Sequence, residues 1–281
     1  MRHCIIMTAY KNVNQINHLI SLIPEEWGLF IHIDKKSDIN VNDIDNRAYV
    51  IKKWKIYWGS INHLKAVLDL LKIATEKEIY DYYHIITGQD LIVATPAQFD
   101  EILTNNNIYI DYFEIPYKRW DFCWGGGYWI YQRRTLALWG DVRFSIIKRL
   151  NNFFIKIQSK LNIYKKLPEY KLYGGPLYCS LPKEAVNEVL NSKIGKHLLR
   201  NLKYSLCGEE IFFQTVLMNS KLKNYIINDN LRYVDWSVQH PPKILDISDY
   251  PKIKKANCLF CRKIEYPNSL ELSRKLEKDF I

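Results

Sequence analysis

The sequence predicts an α/β fold with a mostly parallel central sheet covered by helices on both faces. Two observations carry that expectation. First, apolar segments of strand length at residues 3–9 (HCIIMTA), 27–34 (WGLFIHID), 48–51 and 82–87 (YYHIIT) alternate with stretches of helical spacing, a pattern that builds parallel sheets through crossover helices. Second, polar residues fall at or just past the carboxyl ends of these segments, at Thr8, Asp34 and Asp90. Ligands of such sheets bind beyond the carboxyl ends of the strands, so these three are expected to converge on one crevice as ligand-binding residues. Asp34 and Asp90 are also ordinary turn formers.

Taken in order, the first strand leads into a helix over Val13–Ile23, whose Ile16, Leu19, Ile20 and Ile23 have core spacing. The second strand ends on His32 and Asp34 and gives way to the polar loop KKSDINVND. Within it, Asp43-Ile-Asp45 has the look of a metal-binding aspartate pair, but it follows no apolar strand and reads as a solvated turn. After a third strand at 48–51, Trp58-Gly59-Ser60 opens a helix from Ile61 to Ala74, with Ser60 placed to cap it. Gly88-Gln89-Asp90 closes the fourth strand.

Residues 109–138 are aromatic and basic, broken by Gly125-Gly126-Gly127. Aromatics interleaved with arginine can stack on RNA bases, but no recognisable RNA-binding motif accompanies them. Asp141–Lys171 carries eight basic residues against two acids, with apolar residues including Phe144, Ile146, Leu150, Phe153 and Ile157. It reads as a basic amphipathic helix that either packs on the core with its lysine face solvated or lies on a membrane surface. GGPLYCSLPKEAVNEVL then reads as a strand followed by a helix beginning near Pro182.

Composition narrows the function classes. With 281 residues, 48% hydrophobic and 25% charged, the chain is a folded globular protein able to bury a sizeable core. Its 20 tyrosines and eight tryptophans suit flat polar ligands such as sugars or bases. A formal charge of +10 points to an anionic partner: nucleotide phosphates, nucleic acid or an anionic membrane. Six scattered cysteines without framework spacing, no secretory signal and no 18-residue apolar run lead us to expect a cytoplasmic protein. Cys258 and Cys261 have zinc spacing but no second ligand pair, so they are read as two buried thiols.

Cys207–Ser220 (CGEEIFFQTVLMNS) places two adjacent carboxylates before an apolar run. Glu209 and Glu210 are expected in the first turn of a buried helix, where its dipole favours negative charge, and helix capping would account for them. Neighbouring helical residues diverge by about 100°, so one glutamate can face solvent while the other faces a cleft. Glu210 is the candidate base.

Seven segments in order carry a resemblance. They are HIDKKS (32–37), YWGSINHLKAVLDLL (57–71), HIITGQD (84–90), Gly175–Leu181, GEEIFFQT (208–215), LRYVDW (231–236) and LFCRKI (259–264). Together they resemble the core-2/I-branching β-1,6-N-acetylglucosaminyltransferase family, which includes the peptide xylosyltransferases. The resemblance implies a variant of the GT-A nucleotide-sugar fold in a single domain, with a nucleotide-binding half over 1–105 and an acceptor-binding and catalytic half over 106–281. It implies inverting transfer from a UDP-sugar, most commonly of N-acetylglucosamine, to a glycan acceptor, without a divalent metal or other cofactor.

By motif, Glu210 matches the catalytic base, Lys263 a diphosphate-binding lysine and Trp236 a ring near the sugars; Lys243, in HPPKIL, resembles a second diphosphate contact. Thr8, Asp34 and Asp90 join them as expected donor-binding residues. Glu114, Arg119 and Trp120, in EIPYKRW, resemble an acceptor-binding group. Three departures stand out: Glu209 replaces the usual aspartate, Gly208 the usual proline, and Pro176 a small polar residue. The animal members' anchor, stalk and disulfide cysteines are not seen, which implies a bacterial, cytoplasmic member. A lipid-linked acceptor would bring residues 143–166 to an anionic membrane, and nucleic acid would not be a partner. The alternative is a non-catalytic carbohydrate- or RNA-binding protein that uses the same aromatic and basic surface.

Overall fold

The structure, a computed structural model, describes residues 1–121, 125–238 and 241–279. Cys123, in the aromatic middle segment, lies outside the described residues. The first part of the chain follows the predicted alternation: β1 (His3–Ala9), α1 (Val13–Ser21), β2 (Gly28–Ile33), β3 (Tyr49–Ile51), α2 (Ile61–Lys77) and β4 (Tyr82–Thr87). Then come β5 (Asp90–Ile92), α3 (Pro96–Ile102), β6 (Ile108–Ile110), β7 (Phe113–Glu114), α4 (Tyr128–Gln132) and α5 (Ser145–Lys160). They are followed by β8 (Tyr173–Gly174), β9 (Cys179–Pro182), α6 (Lys183–Asn191), α7 (Lys193–Asn201) and α8 (Glu209–Met218). β10 (Ile226–Ile227), β11 (Arg232–Val234), α9 (Tyr250–Lys255), β12 (Phe260–Arg262) and α10 (Leu270–Glu277) complete it.

The main sheet has seven strands in the order β10-β6-β9-β4-β1-β2-β3. β1 pairs in parallel with both β2 and β4, and β2 with β3, as the alternation requires. β9 departs from that pattern: it inserts between β4 and β6 and runs antiparallel to both. A three-stranded sheet, β11-β12-β5, and a two-stranded ribbon, β7-β8, flank it.

β1 is central because both of its faces are covered. Successive strand residues point to opposite faces. Ile5 and Met7 therefore join one core, with Leu19 of α1 and Leu272 of α10, while Cys4 and Ile6 join the other, with Leu64 of α2 and Phe212 of α8. A strand buried on both sides has no polar alternation, which explains the unbroken apolar run CIIM at its centre.

Local details refine the expectations. α1 stops at Ser21, although Ile23 is buried against the same core. Ser60 occupies the cap position of α2, but its hydroxyl makes no capping bond and is buried without a partner. Cys258 and Cys261 are free, buried thiols, as expected, and burial pushes Cys258 up to about 11. The predicted basic helix is shorter than its basic segment and does not pack its apolar residues on the core: Ile146 is 69% and Phe153 64% exposed.

A polar thread crosses the interior. His84 Nδ1 lies 2.8 Å from Ser180 Oγ and its Nε2 3.1 Å from His3 Nδ1, linking β4, β9 and β1. Arg232 enters from β11 and donates to Ser180 Oγ at 2.9 Å and to the carbonyls of Cys179 at 2.7 Å and Ile85 at 3.3 Å. One buried guanidinium thus fastens the small sheet to β9 and β4. Arg232→Leu would leave those carbonyls buried and unpaired, which costs about 1–3 kcal/mol. Urea denaturation is expected to show that loss as a lower midpoint with an unchanged m value; an unchanged midpoint would remove Arg232 from the account of how the sheets are joined.

Candidate active site

The crevice is assembled at the carboxyl edge of β1, β2 and β4. Thr8 sits in register with His32 on one side and Thr87 on the other. The Ala9 carbonyl accepts the Asp34 amide at 2.8 Å, and the Thr8 carbonyl accepts the Gly88 amide at 3.0 Å. The three strand-end residues are therefore gathered along one edge. Their side chains differ in what they do there.

Asp34 is spent on its own loop. Its Oδ1 accepts the amides of Lys36 at 2.9 Å and Ile56 at 3.1 Å, and its Oδ2 lies 3.2 Å from the Lys36 ammonium. Asp90 Oδ2 accepts the amide and the hydroxyl of Thr87, both at 2.6 Å, closing the turn after β4. Its Oδ1 faces Arg262, with Nε 3.7 Å away. Thr8 Oγ1 lies 3.1 Å from His63 Nε2, and His63 Nδ1 lies 3.8 Å from Glu209 Oε1. A chain of polar contacts thus runs from β1 through the first turn of α2 to the first turn of α8.

Both glutamates occupy the first turn of α8, as predicted. Glu209 is buried, touches His63 and leaves its Oε2 without a hydrogen bond. Glu210 is half-buried, and burial followed by repulsion from Glu209 pushes its carboxyl up to about 8. Two backbone features fix this turn. The Cys207 amide donates to the Gly59 carbonyl at 2.7 Å, where Gly59 has φ 65° and a side chain would meet Leu206 at 2.6 Å. The Gly175 amide donates to the Glu210 carbonyl at 2.9 Å, and a Cβ on Gly175 would lie 2.2 Å from the Asp111 carbonyl oxygen.

Positive charge collects beside Asp90. Arg262 is buried, its guanidinium 3.6 Å from the centre of the Tyr178 ring, and its Nε and Nη1 have no hydrogen-bond partner. Burial pushes the Tyr178 phenol up; Arg262 opposes this, while Asp90 and Glu209 add to it, so the ring feels charge from both the basic cluster and the start of α8. Lys263 is half-buried and held down by burial, then by Arg262 and Lys11. Lys11, just past β1, pairs with Glu265 at 2.8 Å. Among the described residues, no three His, Cys, Asp or Glu side chains cluster in an arrangement that could hold a metal ion.

Lys243 is paired within its own segment. Its backbone lies against Lys263, whose carbonyl accepts the Leu245 amide at 2.8 Å. Its ammonium, however, is 2.6 Å from Asp249 Oδ2 and 3.6 Å from Asp246 Oδ2. Asp249 is fully buried, so Lys243 neutralises an interior charge. Trp236 follows β11 and is 58% exposed. Glu114, on β7, pairs with Lys171 at 2.8 Å, and Arg119 is exposed. Trp120 is packed edge-on against Phe113 at 4.7 Å, so its ring supports the β7-β8 ribbon.

Sequence reading did not single out His63, Tyr178 or Lys11. A signal existed for His63, since it lies in the first turn of a helix that starts at the crevice, as Glu209 does. Lys11 follows the first strand as directly as Asp34 follows the second. Tyr178 had no such marker, because it is brought in by the antiparallel strand β9.

Residues 142–254, from just before α5 to within α9, match the model of the Core-2/I-Branching enzyme family. A xylosyltransferase of Ciona intestinalis is 22% identical over 257 residues, covering 84% of this chain; the match spans only 27% of that protein's length. Among solved structures, the WbbM bifunctional glycosyltransferase in its apo form superposes with a TM-score of 0.41 at 11% identity, over 94% of this chain and 46% of that one. Mouse xyloside xylosyltransferase 1, also apo, gives a TM-score of 0.35 at 11% identity, over 95% and 98%.

The two lysines that the sequence grouped together are separable by stability. Lys243→Met removes the nearer cation from the buried Asp249 carboxylate, which keeps Lys252 at 3.9 Å and the Asp246 amide at 3.0 Å. Because the Lys243 ammonium itself reaches solvent, the expected loss is about 3 kcal/mol, the low end of the range for a broken buried pair. Lys263→Met breaks no ion pair among the described residues and is expected to stay within about 0.5 kcal/mol of wild type. Equal losses in thermal unfolding would contradict this division.

Proposed function

We propose that this chain is a member of the Core-2/I-branching enzyme family and an inverting glycosyltransferase that moves a sugar from a UDP-sugar to a hydroxyl of a glycan acceptor. N-acetylglucosamine is the sugar we favour, and a lipid-linked glycan the acceptor. The observation that supports the reading is a buried guanidinium stacked on Tyr178, with nitrogens that make no hydrogen bond, together with a helix start bearing a carboxylate of raised proton affinity.

Transfer needs two things of the protein. The departing diphosphate must be stabilised as charge develops on it, and the acceptor hydroxyl must lose its proton as its oxygen attacks the anomeric carbon from the opposite side. Arg262 and Lys263, with Lys11 close by, offer charge-assisted hydrogen bonds for the first task, and in this reading no divalent metal is needed. Lysine serves here as a point charge. Glu210 takes the proton. Burial that raises a carboxylate's proton affinity makes it a stronger base, just as glycosidase carboxylates are tuned by their surroundings. Glu209, held at His63, keeps a second negative charge beside it. Thr8 and Asp90 shape the donor side of the crevice, Asp34 holds the loop that forms its wall, and Trp236, Glu114 and Arg119 are the positions assigned to the sugars.

The test is transfer measured in EDTA across about pH 5–9, because a base must be deprotonated to act. Wild type is expected to be active, with kcat/KM rising with pH and levelling off above about 8, the value to which Glu210 is pushed. Glu210→Gln should fold normally and lose ~10²–10⁴ in rate at the plateau. Wild-type turnover in Glu210→Gln together with a dead Glu209→Gln would assign the base to the other carboxylate. Activity abolished by EDTA and restored by manganese would overturn the phosphate assignment.

A further inference from the structure

The helix α5 is built inside out for a soluble surface. Its inward face is fixed by polar bonds: Asn151 Oδ1 accepts the Leu136 amide at 2.9 Å, and Gln158 accepts the Arg134 amide at 3.0 Å while donating to the Arg134 carbonyl at 2.8 Å. Positions 151 and 158 are two turns apart and so share a face. With that face inward, Ile146, Leu150, Phe153 and Ile157 form one stripe about 120° around the helix from it, and all four are exposed. These four residues are therefore not packed on the core, whereas Ile147 and Phe154, nearer the inward face, are half-buried. A helix of sixteen residues falls short of the span of a bilayer, and no helix among the described residues is long and apolar enough to cross one.

The stripe's surroundings indicate what covers it. At about 100° per residue, Arg149, Lys156 and Lys160 lie along one margin of the stripe, and all are exposed. A second copy of this chain would have to bury those charges against its own, whereas an anionic bilayer accepts apolar side chains below its phosphates and cations among them. Trp139, 58% exposed just before the helix, has the amphipathic character found at membrane interfaces. The helix also starts at the rim of the crevice: the Arg143 guanidinium, paired with Asp141 at 2.6 Å, lies 5.2 Å from the centre of the Trp58 ring, next to the Gly59 that holds Cys207.

We propose that α5 lies in the interfacial layer of an anionic membrane, with Ile146, Leu150, Phe153 and Ile157 inserted and its basic margin on the lipid phosphates. The crevice rim then sits at the bilayer surface, within reach of an acceptor carried on that membrane. Only this last step rests on the transferase reading; the seating itself does not.

Flotation with liposomes tests the seating without any activity measurement. The full chain should float with vesicles of phosphatidylcholine and phosphatidylglycerol, and much less with phosphatidylcholine alone. Leu150→Glu/Phe153→Glu should abolish flotation while unfolding at the wild-type temperature, since both side chains are exposed. Arg149→Ala, Lys156→Ala and Lys160→Ala should each weaken partitioning about fivefold, from ~1 kcal/mol per charge near an anionic surface, and high salt should mimic their loss. Equal partitioning onto neutral and anionic vesicles, or none onto either, would overturn the proposal. So would a concentration-dependent dimer that Leu150→Glu/Phe153→Glu dissolves, which would make the stripe a contact between copies.

Discussion

The buried contact between Asp90 and Arg262 is the constraint on which the site depends. Asp90 closes the turn after β4 with one carboxylate oxygen and meets Arg262 with the other, where β5 and β12 pair in antiparallel register. Residues more than 170 positions apart are thereby placed on the edge where Thr8 lies near the end of β1. Removing two charges from water is costly, and such a pair is weak evidence of stabilisation. Its consequence is positional. It sets a guanidinium and the following lysine beside a parallel sheet's carboxyl edge, the usual place for a ligand, and it leaves two guanidinium nitrogens without a hydrogen bond among the described residues.

A second cost is met at α8. Two adjacent glutamates at a helix start are favoured by the dipole, but burial works against both. The structure divides them: Glu209 turns to His63, which also meets Thr8, and Glu210 retains its solvent-facing surface at the price of a raised proton affinity. Gly59 and Gly175 allow the close backbone approaches that hold the turn in place. The acid end of the site and its basic end are thus both fixed by contacts between segments distant in sequence.

Some of this was legible in the amino-acid order and some was not. Period and length were enough to place β1, α1, β2, α2 and β4, because a strand buried on both faces and a helix buried on one have distinct apolar spacing. The strand-end positions of Thr8, Asp34 and Asp90 followed from the same segments. The antiparallel insertion of β9 did not, since residues 179–182 carry no mark of the strands they pair with, and Tyr178 was missed along with it. Lys243 and Lys263 looked alike in sequence; only the turn at 246–249 shows that one of them is committed to a buried aspartate. The amphipathic pattern of α5 was plain, but a pattern of spacing states that two faces differ, not which one meets the protein. Asn151 and Gln158, bonded to the backbone at 134–136, decide it.

The central claim is that the crevice binds a nucleoside diphosphate at Arg262 and Lys263. Thermal unfolding of the full chain with UDP, with UDP-sugars and with RNA oligonucleotides addresses it most directly, since a ligand at 100 times its Kd stabilises by ~2.7 kcal/mol. The account predicts that UDP raises the Tm of wild type, that the shift shrinks in Lys263→Ala, and that RNA leaves it unchanged. Stabilisation by RNA with none by UDP would contradict it.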